Sequence, residues 1–216
     1  MEIISLQENQ EQAFEKAEAI IKDGGLVVVP TDTVYGIIGD TTQGKTIERL
    51  YELKQRPQEN AFPVFVKDIA TARWFAYIAD AKARFLENVW PGSVTVVFHH
   101  KEKLPQMLTA DKDTIALRIP KHPFLMALLA RINIPLVQSS ANISGMPVAE
   151  TMQEIATLFE HKKEKPDLLI DGGKIFGAPS TIIDFTTNNP KITRSGLMKK
   201  EDIDALFAKI HDIPVV

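Results

Sequence analysis

The chain has 216 residues, 44% of them hydrophobic, a net charge of −3 and no cysteine. That length and apolar fraction suit one domain with a substantial core. The absence of thiols excludes a disulfide scaffold, a thiolate zinc site and a cysteine nucleophile, and the mild acidity gives no global field for nucleic acid.

No apolar run approaches the ~20 residues of a membrane span, and Met1 to Leu6 lacks the basic and long apolar stretches of a signal peptide. These features predict a soluble, cytoplasmic protein with no membrane association. In chain order, residues 9–22 have helical periodicity, with Ala13, Phe14, Ala17, Ile20 and Ile21 on one face and Asp23-Gly24-Gly25 as the stop. Leu26 to Val29 reads as a strand buried on both faces and ended by Pro30. A second helix is predicted over 44–54, with Ile47, Leu50, Tyr51 and Leu53 inward. A strand over 62–66 and one long helix over 71–89 follow. Trp90-Pro91-Gly92 then turns the chain into a strand over 94–98. Next come a strand at 114–119, a helix at 124–131, a strand at 135–137 and a helix at 150–160. A strand at 168–170 leads to Asp171-Gly172-Gly173, 181–185 and 191–193 read as paired strands, and a helix over 200–210 closes the chain. Interleaved strands and helices predict an α/β sheet flanked by helices, and the hairpin-like last third predicts a mixed sheet. No repeat or linker divides the chain, so 1–216 reads as a single domain.

Polar side chains gather where strands end, which is where α/β sheets collect ligands. Thr31-Asp32-Thr33 follows the first buried strand. Lys54 and Arg56 sit where the second helix runs into Pro57. Arg can clamp a phosphate through paired hydrogen bonds and Lys adds a point charge, although cations also suit a helix C-terminus without any ligand. On the strand 114–119, Thr114, Ala116 and Arg118 share one face, so Arg118 either reaches an anion or snorkels at the rim. Ser139-Ser140-Ala141-Asn142-Ile143-Ser144-Gly145 packs hydroxyls and an amide directly after a core strand. Cations with hydroxyls at strand ends suggest a site for a polyphosphate and its metal. A P-loop is excluded, because Gly44-Lys45-Thr46 has no glycine five residues before it. The five histidines show no metal-ligand spacing, and no Ser-His-Asp arrangement follows from spacing.

In this order, Pro30-Thr31-Asp32-Thr33-Val34-Tyr35-Gly36, Leu53-Lys54-Gln55-Arg56-Pro57, Trp90-Pro91-Gly92, Arg118-Ile119-Pro120, Ser140-Ala141-Asn142-Ile143-Ser144-Gly145, Asp171-Gly172-Gly173 and Pro179-Ser180-Thr181 resemble the YrdC/Sua5 family, over roughly residues 10–206. The resemblance is to its short, single-domain type. It implies a twisted mixed sheet with a concave cationic cavity. The implied reaction joins L-threonine, bicarbonate and ATP, with Mg²⁺, into threonylcarbamoyl-adenylate and pyrophosphate. A tRNA threonylcarbamoyl transferase complex would then modify adenosine beside the anticodon. By the same resemblance Lys54, Arg56, Ser140 and Asn142 form a catalytic tetrad. Asn60, Thr114, Ser140 and Arg194 would contact ATP, and Thr33, Arg118 and Ser180 would contact threonine. Phe65 stands where two-domain members have a threonine-contacting histidine, so it is expected to form an apolar wall for the threonine methyl. Val148 replaces a nucleotide-contacting serine. A paralogous branch lacks the Ser-Ala-Asn-x-Ser-Gly run, so a relative with another substrate is one alternative. An RNA-binding module, holding tRNA or double-stranded RNA on the cationic face without catalysis, is the other.

Overall fold

Short runs rich in Val and Ile, separated by turn residues, pair into one sheet in the computed structural model, which describes residues 1–187 and 189–209. The strands are β1 (Glu2–Ser5), β2 (Val27–Val29), β3 (Gly36–Asp40), β4 (Val64–Phe65), β5 (Val94–His99), β6 (Thr114–Arg118), β7 (Leu136–Ser140), β8 (Leu168–Asp171), β9 (Thr181–Asp184) and β10 (Lys191–Arg194). Their spatial order is β1-β8-β2-β3-β7-β4-β6-β5-β9-β10. The sheet is mixed: β1–β8, β2–β8, β4–β6 and β5–β9 are parallel, and the other pairs are antiparallel.

The helices are α1 (Gln10–Lys22), α2 (Gly44–Lys54), α3 (Ile69–Phe75), α4 (Asp80–Val89), α5 (Gln106–Thr109), α6 (Pro123–Ile132), α7 (Met152–Phe159) and α8 (Lys200–Lys209). Because strand side chains alternate, Val28, Ile37, Val64, Leu117, Val137 and Leu169 all point to one face. That face is packed with apolar side chains from α2, α3, α4, α5, α7 and α8. Val27, Val29, Ile38, Phe65, Leu136 and Ile170 point to the other face, beneath α1 and α6 alone. Those two helices cover only part of it. The uncovered floor of β4, β5, β6, β7 and β9 is where the candidate site lies.

Several elements depart from the sequence expectation. The helix expected over 71–89 is broken into α3 and α4. Between them Ala76 bridges to His100 and the Tyr77 N–H donates to the His99 carbonyl at 2.9 Å, so sheet-edge bonding replaces helical bonding there. The strand expected over 62–66 pairs only at Val64–Phe65. β1, β3 and α5 were not expected. β3 was hidden by Gly36 and Gly39, residues that weaken a strand signal. A Cβ on Gly39 would come within 2.5 Å of Thr46 Cγ2, so α2 packs directly on the strand at that point. The last helix agrees through Lys209; Ile210 lies outside the described residues.

Candidate active site

A cavity of about 220 Å³ opens on the uncovered floor, and Arg56, Arg118 and Arg194 line it together with Thr33, Ser140 and Ser180. No carboxylate is among its lining residues. Three separate elements bring the guanidiniums together: the turn after α2, the end of β6 and the end of β10.

Arg118 is 2% exposed and held from several sides. Its Nε donates to the Gly92 carbonyl at 2.8 Å, one Nη to Thr33 Oγ1 at 3.2 Å and the other to Asp32 at 2.6 Å. Burial depresses its proton affinity and Asp32 counters that. The Thr31 hydroxyl donates to the Val34 carbonyl at 2.6 Å and accepts the Thr33 N–H, which fixes the loop carrying Thr33. Arg56 donates to the carbonyls of Asn60 and Ala61, both at 2.9 Å, and its guanidinium lies 4.8 Å from the Phe62 ring centre. Arg194 donates to the Ser180 carbonyl from Nε at 3.0 Å and from Nη2 at 2.8 Å, and Nη2 also reaches Ser180 Oγ at 3.0 Å. Thr95 Oγ1 meets the same Ser180 Oγ at 2.7 Å. Burial, then the nearby Arg118 and Arg56, lower the proton affinity of Arg194. The site therefore holds mutually repelling cations that an anion would relieve.

Lys54 is placed differently from its expected role. It is 1% exposed and does not line the cavity. Its ammonium donates to the Ser140 carbonyl at 2.6 Å, the Asn142 carbonyl at 2.5 Å and Asn142 Oδ1 at 2.7 Å. An ammonium has three protons, so the loop uses all of them. Burial, with Arg56 second, pushes its pKa down to about 7. Asn142 is buried too: its Oδ1 also accepts from Ser140 Oγ at 2.7 Å and its amide donates to the Met146 carbonyl. Lys54 and Asn142 thus build the loop that presents Ser140.

The remaining expected residues divide. Asn60 is exposed, outside the lining, and offers its carbonyl to Arg56. Thr114 lies on the cavity face of β6, one pleat beyond Ala116, and is not a lining residue. Phe65 is fully buried under α6; the Arg118 guanidinium sits 5.6 Å from its ring centre and the ring does not reach the cavity. The structure adds Gln138, which lines the floor. Its place two residues before Ser140, on the same face of β7, is a period-2 signal that could have marked it.

A family model described as Sua5_yciO_yrdC, telomere recombination, matches residues 19–196. The chain belongs to the Sua5/YciO/YrdC family. A threonylcarbamoyl-AMP synthase of Pyrococcus abyssi is 32% identical over 217 residues, covering 99% of this chain, and one of Bacillus subtilis is 31% identical over 199, covering 91%. The chain spans 63% and 57% of the length of those two relatives. Among solved structures, P. abyssi Sua5 complexed with L-threonine superposes with a TM-score of 0.88 at 30% identity, over 95% of this chain and 61% of that one. Escherichia coli YciO gives 0.83 at 25% identity, over 94% of this chain and 98% of its own. These matches share the mixed sheet and flanking helices of this Sua5/YciO/YrdC member.

Proposed function

We propose that this chain, acting as one domain, condenses L-threonine, bicarbonate and ATP into threonylcarbamoyl-AMP and releases pyrophosphate. The observation that carries the reading is the cavity lined by three arginines and by hydroxyls, with no carboxylate in its lining, in a chain 32% identical to a threonylcarbamoyl-AMP synthase.

The chemistry asks for such a cavity. Threonine's amine and bicarbonate give a carbamate with loss of water, and a carbamate oxygen attacks the α-phosphorus while the pyrophosphate oxygen leaves. Both reactants are anionic. Neutralising and aligning them supplies most of what catalysis needs, without a covalent nucleophile. Arg56 and Arg194 suit the phosphates, and Arg118 suits the amino-acid carboxylate. Among the described residues no group of three His, Cys, Asp or Glu could hold a metal. Magnesium is taken here as the counter-ion that the ATP substrate carries into the site.

Purified protein should release pyrophosphate from MgATP only when L-threonine and bicarbonate are both present. Equal release without threonine would replace this reading with a plain ATPase. Salt-sensitive RNA binding with no pyrophosphate at all would favour an RNA-holding module. Release with another amine in place of threonine would indicate a paralogue of different substrate. On the proposed reading, the product passes in the cytoplasm to a transferase complex that modifies tRNA.

A further inference from the structure

Two hydroxyls meet at the β9 side of the cavity, and their protons can be counted. Thr95 is fully buried on β5, on the same face as the lining residue Val97, but is not itself a lining residue. Val94 and Val96 alternate with it and pack beneath the helices on the other face. Thr95 Oγ1 lies 2.7 Å from Ser180 Oγ and has no other partner among the described residues. If Ser180 gave its proton to Thr95, the Thr95 proton would be buried without an acceptor, which costs free energy. Thr95 is therefore the donor and Ser180 Oγ the acceptor.

Arg194 Nη2 donates to the same oxygen at 3.0 Å. A hydroxyl oxygen has two lone pairs, so both are occupied. The Ser180 proton has no protein acceptor among the described residues, and Ser180 lines the cavity. It is left to donate into the cavity. Ser140 is wired in the opposite sense. The Lys54 ammonium donates to Asn142 Oδ1, which marks that atom as the amide oxygen, and the Ser140 hydroxyl donates to it at 2.7 Å. Ser140 therefore offers the cavity only lone pairs, whereas Ser180 offers a proton beside a guanidinium.

We propose that Thr95 is a positioning residue, which by donating to Ser180 holds that hydroxyl as a proton donor toward an anionic oxygen of the substrates. This rests on the reading of the cavity as a site for threonine's carboxylate and the phosphates of ATP. It adds a residue outside the lining that prepares the site for them. The strand itself has no need of the hydroxyl: valine shares the branched shape that suits a strand and carries no polar atom to satisfy. A donor fixed in advance spares the ligand the cost of turning the hydroxyl as it binds. The bond it then makes to a charged acceptor is stronger than one between neutral groups.

The test is a double-mutant cycle of Thr95→Val and Ser180→Ala, with Thr95→Ser alongside, each variant checked for folding by thermal melting. Calorimetry gives the Kd of threonine and of pyrophosphate, and pyrophosphate release gives kcat and the KM of each substrate. Ser180→Ala should weaken one anionic ligand by roughly ten- to a hundred-fold, the worth of a charge-assisted bond. Thr95→Val should weaken the same ligand by about three- to ten-fold, and Thr95→Ser, which keeps the donor, should recover most of that loss. In the Ser180→Ala background Thr95→Val should add nothing, because no hydroxyl is left to aim. A change for threonine places the proton on the carboxylate, and a change for pyrophosphate and ATP places it on a phosphate. Packing alone predicts the reverse order, since valine keeps the branched shape and serine loses the methyl, and that order overturns the assignment. So does a full further loss in the double variant, or wild-type Kd and KM values in folded Thr95→Val. Wild-type protein that binds neither threonine nor pyrophosphate overturns it together with the reading of the cavity. The expected pattern of binding without any pyrophosphate release would sustain this inference while refuting the proposed reaction.

Discussion

Lys54 holds the loop beside the cavity instead of lining the cavity itself. Its three protons hold the loop of Ser140 and Asn142 in place, and its charge is buried without a carboxylate partner. With a pKa near 7 in the fold against an ordinary 10.5, the ammonium is lost as pH rises through neutrality. A neutral amine has only two protons for three oxygens, so the loop loosens and activity should fall between pH 7 and 9. Stability moves the other way. Between about 7 and 10.5 the unfolded chain holds a proton that the folded chain has released, so unfolding free energy rises with pH. Relative to Lys54→Met, the wild type should gain up to roughly 1.4 kcal/mol per pH unit across that window. Urea melts at a series of pH values measure the difference directly. A flat difference would mean that Lys54 keeps its proton throughout and that any alkaline loss of activity begins elsewhere.

At the scale of elements, the site depends on two loops that meet without intervening side chains. Gly177 lies in the segment between β8 and β9 that ends in Pro179 and Ser180. A Cβ there would fall 1.8 Å from the Thr33 carbonyl oxygen, which is backbone and cannot swing aside. Gly177→Ala must therefore push the segment away from the loop that holds Thr33 against Arg118. Overpacking of this kind costs typically ~1–3 kcal/mol. The expected signature is a loss of kcat/KM of at least ten-fold with a smaller effect on melting. Gly44→Ala, which opens α2 and meets nothing within 4 Å, is the matched control and should leave both unchanged. Wild-type kinetics in Gly177→Ala would show that this loop contact does not set the site's geometry. Such contacts also mark what sequence could and could not reveal. α1 and α2 were legible because their apolar positions repeat at helical spacing, and β2 because three valines run together. The break after α3 was not, since bonds from Ala76 and Tyr77 to β5 and its continuation at His100 decide it. The motifs located Arg56, Arg118, Ser140, Ser180 and Arg194 before any fold was in view. They could not separate Arg56, which faces the cavity, from Lys54 two residues earlier, which props the loop behind it. That distinction belongs to the direction in which each side chain leaves the end of α2.

For the molecule as a whole, the decisive asymmetry is that, among the described residues, six helices cover one sheet face and two cover the other, leaving a hollow lined by three arginines in a protein of net charge −3. Folding brings Arg56, Arg118 and Arg194 together, and Asp32 pairs with Arg118. The repulsion is a standing cost of the apo fold, and a multivalent anion should relieve it. Pyrophosphate should therefore stabilise the protein saturably. At a concentration about a hundred times its Kd the gain is roughly 2.7 kcal/mol, or about 5–10 °C of melting temperature for a domain of this size. Sodium chloride at matched ionic strength screens charges without bridging them and should give much less. Arg194→Gln should blunt the pyrophosphate response while leaving the chloride response intact, because the neutral amide cannot supply a charge-assisted bond. Equal stabilisation by both salts would show that the three guanidiniums do not act on one anion, and would remove the support they give to the proposed phosphate site.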